Sequence, residues 1–332
     1  MSKGKSSVEH LKKNMRSGKK FRLSEAKSEI PDKQARLTDL IGKALLYSAN
    51  EPWLLTRFEE FLSPKPASID FSKSLARRLD TLIEQLGGVP RLILIPENGE
   101  KLPEYDTYSI AAIRELESSF KRCRRSICRT HVCFIASEFY KQEPDLFVQQ
   151  LEAGVKRGLS AEMEELYWEH AETSYIRLAS YWDRVGQFLD FVFFNIRQYE
   201  RDGFPAVMDR VASNYVRLFP GLESAPFWSA MRSYQNSEKQ DGFQFLVRRR
   251  NLLVHSLHLQ AIGDQSGEEN PIFTSAYNHL EESVHQKLKP GTPESELGVL
   301  HAHLALAAHQ FPHMIELCEH CAASRLKTYR GI

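Results

Sequence analysis

Arg250 and His255 stand five residues apart in the run Arg250-Asn251-Leu252-Leu253-Val254-His255, with an amide side chain directly after the arginine. These are side-chain types that cleave RNA without a metal. RNA brings its own nucleophile, the ribose 2′-hydroxyl, and an imidazole with an ordinary pKa of about 6.5 can take or return the proton near neutrality. A guanidinium fork matches the phosphate oxygens and stabilises the charge that builds in a pentavalent transition state. Asn251 can orient the local backbone or hold His255. Arg248 and Arg249 complete an arginine triplet and are the candidate substrate-binding residues, one of the three being expected to face RNA and the others solvent. Taken only as residues, the same spacing also describes a helix face with one solvated arginine and one hydrogen-bonded histidine.

The chemistry depends on the element that carries the pair. Apolar periodicity predicts a helix from about Phe243 to Ala261. On an ideal helix, positions five apart are separated by about 140° around the axis and about 7.5 Å along it. The two side chains therefore do not share a face. They converge if the arginine swings round the helix edge, if the helix is distorted, or if a second subunit completes the cleft.

The surrounding pattern is helical almost throughout. Helices are expected around Leu37–Leu45, Trp53–Leu62, Phe71–Leu86, Tyr105–Phe139 and Pro144–Leu159, with one strand-like run at Val89–Ile95. From Ser160 the chain is richer in aromatics. Ser160 can cap a helix reaching about Tyr199, with Glu162 and Glu164 in its first turn. Gly203 and Pro205 open a helix to about Leu218, Pro220-Gly221 makes a turn, and Thr292-Pro293 opens a last helix to about Lys327. Pro312 is expected to kink it. The fold class expected is all-α, in three parts: a basic arm (1–33), a mostly helical region (34–159) and a helical bundle (160–328).

Composition narrows the function classes. The formal net charge is +1, so there is no global signal of nucleic-acid binding. The arm is the exception, with basic residues well in excess of acids before residue 28; it reads as a solvated tail or as a weak phosphate attractor. No long apolar run or signal-peptide core is present, which points to a cytoplasmic protein with no membrane partner. Cys123, Cys128 and Cys133 recur at spacing five, and Cys318-x-x-Cys321 lacks a second pair, so reduced structural thiols are expected rather than a zinc site.

Two further constellations have a chemical and a bland reading. Asp183, Gln187 and Asp190 form a polar stripe on an aromatic helix. It is either the solvent face or a carboxylate support for His255, with Asp183 preferred. His309, His313 and His320 share one side of the last helix; a solvated or interface face is the simpler reading, and a metal site the alternative. No metal and no cofactor are expected.

The Arg250–His255 run resembles the R-x4-6-H signature of the HEPN superfamily, in the form with a polar residue after the arginine. The succession of helices near 161–199, 204–218, 243–261 and 293–327 is similar to that family's bundle, with the motif on a late helix and a long helix after it. The run from Tyr181-Trp182-Asp183-Arg184 to Phe194 looks like the first core helix of one branch. The resemblance implies a metal-independent endoribonuclease acting as a homodimer, Arg250 and His255 being the catalytic pair. It also implies toxin–antitoxin, defence or RNA-processing roles, with an antitoxin or regulatory protein as partner. Leu257 stands where one toxin branch carries a modifiable tyrosine, a departure from that branch. The alternative is a noncatalytic helical module that binds RNA, nucleotide or a protein.

Overall fold

The computed structural model describes residues 31–62, 105–142, 159–194, 203–216, 219–255, 259 and 289–330. Every regular element among them is helical. In chain order these are α1 (Pro31–Leu62), α2 (Tyr105–Gln142), α3 (Leu159–Phe194), α4 (Phe204–Val211), α5 (Pro220–Glu223), α6 (Pro226–Asn236), α7 (Phe243–His255) and α8 (Pro293–Arg330). A π-helical turn, Ala212–Val216, continues α4. The expected helix at 71–86, strand at 89–95 and helix at 144–159 fall outside the described residues, save for Leu159, which opens α3.

The chain divides into two units, Met1–Leu54 and Leu55–Ile332. In the first, the described part of α1 leaves Leu37, Leu40, Ile41 and Leu45 exposed. Two helices were expected between Leu37 and Leu62, whereas α1 is continuous through Pro52.

The second unit is built around α3, which packs against α2, α4, α7 and α8. Its sequence explains the role. Tyr175, Leu178, Tyr181, Trp182, Val185, Leu189 and Val192 are all buried and recur on so many sides that the helix needs partners nearly all round. Trp182 alone meets Phe204 of α4 at 4.9 Å, Tyr234 of α6 at 4.6 Å and Phe243 of α7 at 6.2 Å between ring centroids. Leu116, Phe120, Cys123 and Ile127 of α2 belong to the same core as the aromatic residues of α3. A boundary at residue 160 therefore passes through a shared core, and α2 is part of the bundle.

Helix ends follow their sequence signals unevenly. Thr292 Oγ1 accepts from the Ser295 amide at 3.3 Å and its carbonyl from the Glu296 amide at 2.9 Å, the expected cap of α8. By contrast α3 begins at Leu159, so Ser160 lies inside its first turn. Pro220-Gly221 opens the short α5 instead of a bare turn. No helix was expected over α6, although Pro226 occupies its first turn and Trp228, Met231 and Tyr234 repeat at helical spacing.

A half-buried histidine and a buried one, His131 and His303, make stability pH-dependent. His131 of α2 and His301 of α8 meet at 3.2 Å between ring nitrogens. Burial first, and His301 second, lower the His131 pKa to about 4. Burial likewise brings His303 down to about 4, where its ring stacks on Phe245. The unfolded chain then binds more protons than the folded one between about pH 6.5 and 4, so stability falls as pH falls through that window. Melting temperature measured between about pH 7 and 4.5 is expected to drop steadily, and His303→Phe to flatten the slope. A profile unchanged by His303→Phe counts against the assignment.

Candidate active site

Three consecutive arginines on α7 meet three different environments, because each residue turns about 100° around the helix. The helix is set by a tight entry. The Gln244 amide donates to the Ser237 carbonyl at 3.1 Å and the Gly242 amide to the Lys239 carbonyl at 2.8 Å. A Cβ on Gly242 would stand 2.3 Å from the Ser237 oxygen, so only glycine fits there. Beyond the entry, Phe245, Leu246, Arg249 and Leu252 form the buried side, facing α3 and α6.

Arg249 lies within that side, 1 % exposed. Its Nη2 donates to Glu296 Oε1 at 2.9 Å. Glu296 also accepts from Tyr175 through Oε2 at 2.6 Å and from the Gly291 amide at 2.9 Å. The guanidinium lies 5.5 Å from the Tyr175 ring centroid and 5.0 Å from that of Phe245. Tyr167 donates to the Pro293 carbonyl at 2.5 Å alongside. One buried ion pair thus ties α7 and the start of α8 to α3. The expected substrate contact from Arg249 is corrected: its guanidinium is buried in the core against Glu296, and no RNA phosphate can reach it.

Arg248 points the other way and pairs with Glu238 at 2.8 Å on the surface. Exposed pairs of this kind contribute little and exchange readily, so Arg248 is able to turn to a ligand. Arg250 occupies the edge between these extremes. It is half-buried, and its Nη1 donates to Asn251 Oδ1 at 3.0 Å. Asn251 therefore engages the arginine of the motif.

Asp183 of α3 is half-buried beside this edge. Burial raises its pKa, while the cations of Arg250 and Arg184 pull it down. Gly203 leaves it room, since a Cβ there would come within 3.2 Å of Asp183 Oδ1. Arg250 and Asn251 are thus joined by a hydrogen bond, and Asp183 lies within electrostatic range of Arg250. The rest of the stripe is not a solvent face: Asp190 is buried and pairs with Arg210, and Gln187 is half-buried.

His255 ends α7, and its side chain lies outside the described residues. α7 is α-helical along its whole length, so distortion does not bring the two positions of the motif onto one face. They stay about 140° apart.

The last helix's histidines are dispersed among different neighbours. His309 and His313 rings meet at 5.3 Å, His313 faces Glu316, and His320 packs against Phe219 and Phe227. Among the described residues no group of three or more His, Cys, Asp or Glu side chains converges. All five cysteines are buried and unbridged. Burial raises Cys123 to about 12 and Cys133 to about 11, and pushes Cys318 well up, which leaves these thiols unreactive. No described helix is long and apolar enough to cross a membrane.

Sequence reasoning missed Glu296, and no local signal could have found it, because it meets Arg249 across 47 positions of chain. Comparison with protein-family models, with curated proteins and with solved structures finds no match.

Asp183 is a candidate for function at the expense of stability. A carboxylate whose pKa is raised by burial destabilises the fold as pH rises above its unfolded value near 3.9. Asp183→Asn is therefore expected to melt at the same or a higher temperature at pH 7, while lowering any activity that needs Arg250 held in place. A clear fall in melting temperature would show that its partners outweigh its burial.

Proposed function

We propose that this chain is a metal-independent endoribonuclease of HEPN type that cleaves RNA by internal transesterification, in a cleft completed by a second copy. The observation that carries the reading is Arg250. It sits at the rim of α7, hydrogen-bonded to Asn251 and within electrostatic range of Asp183, on a helix fixed from beneath by the Arg249–Glu296 pair. Such anchoring limits the reorganisation a phosphate-binding guanidinium must undergo.

In this scheme His255 takes the proton of the ribose 2′-hydroxyl, whose oxygen attacks phosphorus. The bond from phosphorus to the 5′-oxygen breaks, and an imidazolium returns a proton to that leaving oxygen. Arg250 neutralises the phosphate as charge accumulates. A toxin or defence role with an antitoxin or regulator belongs to the same proposal and rests on the resemblance alone, as does a cytoplasmic location on the sequence.

The about 140° between the two motif positions on an unbroken helix favours a second reading: a noncatalytic helical module that binds RNA, nucleotide or a protein. Purified protein incubated with single-stranded RNA and EDTA separates them. Fragments ending in 2′,3′-cyclic phosphate support the nuclease. Cleavage that stops with EDTA, or binding without any cleavage, overturns it.

A further inference from the structure

Between Ser118 and Ser137 the chain has no acidic residue and five basic ones: Lys121, Arg122, Arg124, Arg125 and Arg129. Arg122, Arg125 and Arg129 follow at i, i+3 and i+7, which places them within about 60° of one another around α2 and spreads them over about 10.5 Å of its length. The facing stretch of α3, from Thr173 to Trp182, also lacks acids and contributes Arg177. Arg177 Nη1 donates to the Arg122 carbonyl at 3.4 Å. Burial first, then Arg129, Arg122 and Arg125, lower the Arg177 pKa, which records four guanidiniums within electrostatic range of each other. Arg122 and Arg125 are exposed, Arg129 and Arg177 half-buried.

A chain of net charge +1 has no general excess of cations to place here. Like charges gathered on one face repel, and a polyanion relieves that repulsion. We propose that the Arg122–Arg125–Arg129–Arg177 face binds the phosphate backbone of an RNA strand. Guanidinium forks fit phosphate oxygens, and several of them along one helix face can meet successive phosphates of a strand. An anionic bilayer fits less well, because a surface helix that enters one needs apolar side chains on the face it presents. The exposed apolar residues of α2, Ile135 and Phe139, come about 1.7 and 2.8 turns past Arg129 and outside the arginine arc. The inference rests on the RNA reading only for its choice of polyanion, and it names where the strand is held.

The test uses full-length protein carrying His255→Ala, so that cleavage cannot confuse binding. Fluorescence anisotropy with a labelled single-stranded RNA of about 20 nucleotides is followed from about 50 to 200 mM KCl. Arg122→Gln with Arg125→Gln removes two exposed contacts. The slope of log affinity against log salt is expected to become shallower by about 1.4, so the deficit of the double variant narrows about sevenfold across that range. Arg122→Lys with Arg125→Lys keeps the charge and is expected to keep the slope, which separates electrostatics from misfolding.

Equal affinity and slope in the glutamine variant overturn the proposal. So does wild-type binding to phosphatidylserine vesicles without binding to RNA, and so does no binding at all. If RNA binding depends on the arginines while the EDTA assay shows no cleavage, the binding face stands and the nuclease reading alone fails.

Discussion

Arg249→Ala is expected to destabilise the protein by about 3–5 kcal/mol, the range for removing one partner of a buried ion pair. Melting temperature should fall by on the order of 10 °C. The cause is what remains behind. Glu296, 4 % exposed at its side chain, would keep the Tyr175 hydroxyl and the Gly291 amide as donors but lose its countercharge. Its carboxylate would then have to take up a proton or admit water into the core. Arg249→Met combined with Glu296→Leu should recover part of the loss, because neither buried charge then lacks a partner. Recovery is not expected to be complete, since Tyr175 and Gly291 lose their acceptor. Thermal melts of the single and double variants decide the matter. An Arg249→Ala protein that melts with the wild type would show the pair to be dispensable, and with it the anchor beneath Arg250.

That residue also marks how far the sequence could be read. Period-3.6 apolar patterning located α2, α3, α7 and α8, because a helix that packs must repeat its apolar residues once per turn. The same pattern does not say what a helix packs against. Leu37, Leu40 and Ile41 have the right spacing yet are exposed, and α2 was assigned to a separate region although its apolar side lies in the α3 core. Short elements escaped for a different reason. α6 spans 11 residues, too few repeats to rise above its polar neighbours, although Pro226 signalled its start.

At the site, the sequence singled out Arg250 and Asn251, which the fold joins by a hydrogen bond, and Asp183 as a support for His255, whose side chain lies outside the described residues. It could not sort Arg248, Arg249 and Arg250 from one another. Their fates depend on which of three directions meets Glu238, Glu296 or Asp183, and those acids come from a loop and two other helices. The arginine face of α2 was legible in principle as a long stretch with cations and no acids. A near-neutral total charge hides such local segregation.

Arg250→Ala and His255→Ala are each expected to lower RNA cleavage by about two to four orders of magnitude, the range for losing a transition-state guanidinium or a general acid–base. Stability should stay within about 0.5 kcal/mol for Arg250→Ala, whose described hydrogen bond is to the exposed Asn251. Loss of activity alone does not place the two groups in one site; their separation on α7 does the rest. If each cleft takes its guanidinium from one copy and its imidazole from the other, a dimer of the two variants has one complete site and one empty site. Random exchange of an equimolar mixture makes half the dimers mixed, so about a quarter of wild-type activity should return. If both groups come from the same copy, no mixture regains any. The rate after subunit exchange is therefore read against the separate variants: recovery places the chemistry across the two-fold, and its absence in a demonstrably mixed dimer removes the composite cleft. With α7 unbroken, the nuclease reading would then require Arg250 to swing round the helix edge within a single copy.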